Sequence, residues 1–162
     1  MKPNCPIFAE DVQSTSFGVS QSREAETLRG LQAVNILVEA LHADAGSIGL
    51  TKKQFQTDVE LELRKAGITI GTSTSGYLYV YVNIMKLSGV NGFAYDVDVS
   101  FEQAGKLIRD PSILIFAAST WRKGYLGASP RRGARSAIRE VVRDFVSEFI
   151  NDYLTVNPIT RN

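Results

Sequence analysis

The chain has 162 residues, 44% of them hydrophobic and 22% charged, with 18 Lys and Arg against 17 Asp and Glu for a formal net charge of +1. That size and balance fit one soluble globular domain whose core needs no staples, and they supply no global drive toward nucleic acid or an anionic membrane. A single cysteine, Cys5, and a single histidine, His42, allow no internal disulfide and nearly exclude a structural zinc site.

The opening MKPNCPIFAEDVQSTS carries no apolar segment of the kind an export signal needs, and Cys5 after Pro3 and Asn4 is a poor lipid-attachment context. No apolar run is long enough for a transmembrane helix. The compartment stays open between the cytoplasm and an envelope location reached through a trimmed or missed targeting segment. Residues 1–28 are polar, with little periodicity beyond Ile7, Phe8 and Phe17, and read as an N-terminal arm. Residues 29–158 read as a single domain and 159–162 as a tail.

LQAVNILVEALH, 31–42, alternates with apolar residues on both sides, which predicts a strand well inside a sheet. The helix that follows is announced by its cap. Thr51 and Gln54 form a capping box, Leu50 and Phe55 a hydrophobic staple, and Phe55, Val59, Leu63 and Ala66 a buried stripe. Gly67 fits the left-handed position past its end, so the helix spans 51–66. Ile68 to Ile70 is a short strand. YLYVYVNIMKL (77–87) and FAYDVDVSFEQ (93–103) alternate fully, and ILIFAASTW (113–121) is a third long strand. Short turns between the three predict an antiparallel meander. RKGYLGASPRR (122–132) reads as a loop, loosened by Gly124 and Gly127. From 133 to 155, Ile138, Val141, Val142, Phe145, Val146, Phe149, Ile150 and Leu154 recur at three- and four-residue spacing as one helical stripe, ended by Asn157-Pro158. The expectation is an α+β two-layer sandwich. Its sheet is mainly antiparallel with four or five strands, and the helices 51–66 and 133–155 lie on one face.

The stretches LTKKQFQTDVELELRKAGI, LYVYVNIMKLSGVNGFAYDVDVSFEQ, STW and FINDYLTVNP resemble a widespread uncharacterised family of small bacterial proteins, often exported, that end in FINxYLxVNP. The resemblance covers roughly residues 31–158. The element order is also similar to the α/β lipoprotein domains of outer-membrane assembly factors and curli-type secretion channels. What these resemblances imply is a periplasmic or envelope setting.

Three groups of residues are candidates for chemistry. Tyr77, Tyr79 and Tyr81 project from one side of their strand at about 7 Å steps, and Asp96 and Asp98 should share that face on the next strand. Tyrosines offer area and a polar tip at low entropic cost, which suits an interface, although the N-terminal arm could cover them. The two carboxylates could in principle act in hydrolysis or hold a calcium ion, but acids at this spacing mostly guard a sheet against edge pairing. Arg131, Arg132, Arg135 and Arg139, with Lys123 and Arg143 nearby, crowd the start of the last helix. That is a solvated or internally paired face, a protein contact, or a site for an anionic small molecule or lipid headgroup. The sequence therefore predicts a non-enzymatic interaction or assembly module working through its exposed sheet face. The alternative is a binding module at the basic helix start. No cofactor or metal and no nucleic acid are called for. The expected partner is another protein or a second copy, with peripheral membrane contact left open.

Overall fold

The computed structural model describes residues 23–71 and 76–158. Its elements in order are β1 (Asn35–Val38), a 3-10 helix (Ala43–Ile48), α1 (Lys52–Lys65), β2 (Gly76–Lys86), β3 (Gly92–Leu107), β4 (Asp110–Pro130) and α2 (Arg131–Val156). The sheet runs β1-β2-β3-β4, parallel between β1 and β2 and antiparallel across the other two pairs. Helix α1 packs on β1 and α2, and α2 packs on β3 and β4. This is the expected two-layer α+β sandwich.

Periodicity produces the core directly. Leu78, Val80, Val82 and Ile84 of β2 and Phe93, Tyr95, Val97, Val99 and Phe101 of β3 are all buried on the helix side. They meet Ala134, Ile138, Val142, Val146, Phe149 and Tyr153 of α2 and Phe55, Val59 and Leu63 of α1. The cap of α1 is as its residues dictate. Thr51 and Gln54 exchange both capping-box bonds, Leu50 is buried, Gly67 sits at φ 77°, and the Ile68 N–H closes onto the Leu63 carbonyl at 2.9 Å.

Three expectations need correction. The first strand is four residues at the sheet edge, not a long interior strand. Val34 bonds instead to the 69–71 segment, its N–H to the Thr69 carbonyl and its carbonyl to the Gly71 N–H. Ile68 to Ile70 thus contributes an isolated bridge rather than a strand. Leu37 is apolar on the second face because that face is itself partly apolar, and Leu37 is exposed on it.

The second correction is that residues 122–130 are strand. β4 stays paired to β3 from Trp121, opposite Phe101, to Pro130, opposite Gly92. Gly127 lies opposite Tyr95, and a Cβ there would stand 2.9 Å from the Tyr95 ring. The glycine is the space over which the tyrosine lies, not a loop hinge. The third is that α2 begins at Arg131, so Arg131 and Arg132 belong to its first turn.

At the N-terminal side, residues 1–22 of the expected arm lie outside the described residues. Residues 23–26 are helical, and Ala25 and Leu28 join the core. The tail expected at 159–162 is likewise outside the described residues.

Candidate functional site

The open face of the sheet is built by strand alternation. The residues that follow each buried position point away from the helices, and the ladder registers align them in rows. Leu37, Tyr79, Ser100 and Arg122 form one row across all four strands. Asn35, Tyr77, Glu102 and Ser119 form the next. Tyr81, Asp98 and Gly124 form a third, and Asn83, Asp96 and Leu126 a fourth. The structure therefore brings together every residue of the predicted tyrosine and aspartate group.

The three tyrosines are half-buried by each other and by their strand neighbours. The Tyr77 and Tyr79 rings meet edge-on, with centroids 6.4 Å apart, the geometry aromatic quadrupoles favour. Asp98 is held by Arg122, which the sequence reading placed in a loop. The Arg122 Nε–H donates to Asp98 Oδ2 at 2.7 Å. Asp98 in turn raises the guanidinium's pKa, through the hydrogen bond first and its charge second. Ser100, the only buried polar residue among those described, donates to Glu102 at 2.7 Å. Together Tyr79, Tyr81, Asp96, Asp98, Glu102 and Arg122 border a shallow depression of about 230 Å³. Asp98 is the member of the Asp96 and Asp98 pair that a cation holds. Among the described residues no cluster of three or more His, Cys, Asp or Glu is placed to hold a metal.

The arginines at the start of α2 do not converge. Arg131 donates to the Ser47 carbonyl at 2.8 Å and lies 5.8 Å from the centre of the Phe93 ring. Arg139 pairs through two nitrogens with Asp58 of α1, at 2.9 and 3.0 Å. The Arg135 guanidinium lies against Gly49, and Arg132 is exposed. Lys123 turns inward from β4 to Glu148 at 3.0 Å. Two of the four candidates thus fasten α2 to the 3-10 helix and to α1. A groove of about 440 Å³ runs between α1 and α2, floored by Val59, Val142 and Val146 and bordered by the Arg139–Asp58 pair.

Cations at a helix start oppose its dipole by about 0.3–1 kcal/mol each. A hydrogen bond from a charged donor contributes about 1.5–3 kcal/mol where it is shielded from water, so the exposed Arg131–Ser47 contact offsets part of the opposition. His42 accepts the Asp44 N–H and caps the 3-10 helix, and Asp44 accepts the Lys86 N–H at 3.0 Å. His42 thus closes the turn on itself, and Asp44 joins it to β2.

No protein-family model matches the chain, and no curated protein matches it. The sequence-family resemblance carried by FINDYLTVNP thus has no support from these comparisons. Among solved structures, the chain is similar to a minor lipoprotein from Acinetobacter baumannii at 10% identity and a TM-score of 0.38, over 81% of this chain and 97% of that one. It is also similar to the rare lipoprotein B from Shewanella oneidensis at 14% identity and a TM-score of 0.35, over 76% of this chain and 96% of that one. Neither likeness assigns a function. No helix among the described residues is long and apolar enough to cross a membrane.

Proposed function

We propose that this chain is a non-enzymatic interaction or assembly module, and that its contact surface is the open sheet face centred on Tyr79 and Tyr81. The observation that carries the reading is the row Leu37, Tyr79, Ser100 and Arg122, which crosses all four strands on the face away from both helices. Hydrogen-bonded strands fix these side chains before any partner arrives, so little ordering entropy is lost on contact. The tyrosine bodies supply apolar area and their hydroxyls polar tips. The Arg122–Asp98 pair contributes register and orientation more than affinity, as exposed pairs do.

The test is the double substitution Tyr79→Lys with Tyr81→Lys, two half-buried positions on the open face of the sheet. The expected result is loss of the protein contact detected by capture, in a protein that still unfolds cooperatively. An unchanged set of contacts would remove the sheet face from the account. An envelope setting, suggested by the resemblance read from FINDYLTVNP and its companion stretches, belongs to the same proposal. Cell fractionation checks it, and a purely cytosolic protein would contradict it.

A further inference from the structure

Among the described residues β2 supports β3 as far as Gly76, opposite Gln103. Past that point residues 104–117 form a two-stranded ribbon paired only within itself among the described residues. An isolated two-stranded ribbon is marginal in water, and this one is strongly apolar. Ile108 at its turn is 100% exposed, Phe116 82%, Leu114 52% and Ile113 44%. β4 is also the last strand of the sheet, so its outer edge faces no strand among the described residues. The segment Ser112–Thr120, SILIFAAST, contains no charge, glycine or proline. It carries neither a charge nor a proline to guard an open edge, although its ladder to β3 shifts register at Thr120 and at Phe116–Ala117.

Lipid suits this ribbon poorly. Its outer edges would carry unpaired N–H and C=O groups into hydrocarbon, at several kcal/mol each. A strand suits it well, because it meets the backbone and covers the side chains together. The sequence favours one particular strand, the same one reversed. With a two-fold axis through Phe116, antiparallel pairing sets Ile115 against Ala117, Leu114 against Ala118, Ile113 against Ser119 and Ser112 against Thr120. Ile113, Leu114 and Ile115 each meet a small side chain, Phe116 meets its own copy on the axis, and beyond the segment Asp110 meets Arg122. A shift of one residue in the pairing sum would set Arg109 against Arg122 instead, two like charges.

We propose that β4 pairs antiparallel with β4 of a second copy across Ser112–Thr120, joining two four-stranded sheets into one through a two-fold interface. This surface is separate from the tyrosine face and does not rest on it.

The test measures solution mass of the full chain by light scattering across concentration. It is repeated for Phe116→Lys and Leu114→Lys, whose exposure leaves the fold of the monomer unaffected. The expected result is a dimer that each substitution weakens at least tenfold, while Tyr79→Lys with Tyr81→Lys leaves it intact. In a Cys5→Ser background, Phe116→Cys should give an intermolecular disulfide on mild oxidation, and Ser136→Cys on α2 should not. A monomer at every concentration overturns the proposal, as does a dimer indifferent to Phe116→Lys. Binding of the monomer to phosphatidylcholine–phosphatidylglycerol vesicles, lost in Phe116→Lys, would overturn it in favour of a lipid contact.

Discussion

The indole N–H of Trp121 donates to Asp152 Oδ2 at 2.8 Å, joining the middle of β4 to the last turns of α2. Trp121 is almost wholly buried and stands edge-on to Phe149 at 5.3 Å between centroids. Its indole has a donor and no acceptor, so a bulky ring can occupy this place only if that donor is met. Asp152 opposes the helix dipole by about 0.3–1 kcal/mol, less than the roughly 1.5–3 kcal/mol of a charged hydrogen bond. Asp152→Ala should therefore cost about 1–3 kcal/mol in urea unfolding. Asp152→Asn, which retains an acceptor oxygen, should cost clearly less. Equal losses would mean that the hydrogen bond is not what holds the ring.

Asn157 fastens the start of the domain to its end. Its Oδ1 accepts the Gly30 N–H at 2.7 Å, and its Nδ2 donates to the Leu28 and Tyr153 carbonyls at 2.8 and 3.1 Å. Asn157→Ala strips these three bonds at about 0.5–1.5 kcal/mol each. The expected destabilisation is about 2–3 kcal/mol, with faster amide exchange at Gly30 before any other described strand or helix responds.

Gly127→Ala should destabilise by about 1–3 kcal/mol through overpacking against the Tyr95 ring. The same substitution at Gly46, where an added Cβ meets nothing within 4 Å, should be nearly neutral. A neutral Gly127→Ala would restore the reading of 122–130 as a loose connection.

Burial raises the pKa of the Tyr153 phenol, whose O–H donates to the Leu31 carbonyl at 2.6 Å. Burial raises that of Tyr95 as well, with the neighbouring Tyr125 charge adding to it. An acid whose pKa is raised by folding gives up its proton first in the unfolded chain. Its stabilising contribution is thus complete below the ordinary tyrosine value of about 10 and is lost as pH rises through the higher folded value. Unfolding free energy should fall above about pH 10, and Tyr153→Phe should make that fall shallower while lowering stability at neutral pH. An unchanged alkaline slope in Tyr153→Phe would assign the loss to other groups.

The Arg139–Asp58 pair is about one-third exposed on both sides, so solvent screens it. A double-mutant cycle should give a coupling of about 0.3–1 kcal/mol that shrinks in high salt.

The elements most legible in the sequence were those with a local code. The Thr51–Gln54 box and Gly67 bounded α1, and alternation separated the core face of β2 and β3 from the tyrosine face. What the sequence concealed depends on partners far along the chain. Gly124 and Gly127 look like loop punctuation until Asp98 and Tyr95 are seen beside them on β3. Leu37 suggested a central strand because alternation reports which faces are apolar and says nothing of how many neighbours a strand has. Arg139 looked like part of an anion site because its partner, Asp58, sits on another helix. Asn157 looked like a helix stop, and its three bonds to distant backbone leave no local signature. The tyrosine and aspartate group was legible because ladder register carries alternation from one strand to the next, while Arg122 was missed with the strand that carries it.

The most direct test of the open sheet face as a contact surface is a photo-reactive phenylalanine analogue placed at Tyr79 and irradiated in the cells that make the protein. The prediction is a discrete cross-linked adduct from Tyr79 that is absent when the analogue replaces Ser136 on the exposed side of α2. No adduct from Tyr79 and Tyr81, in a protein that is folded and present at normal abundance, would contradict it.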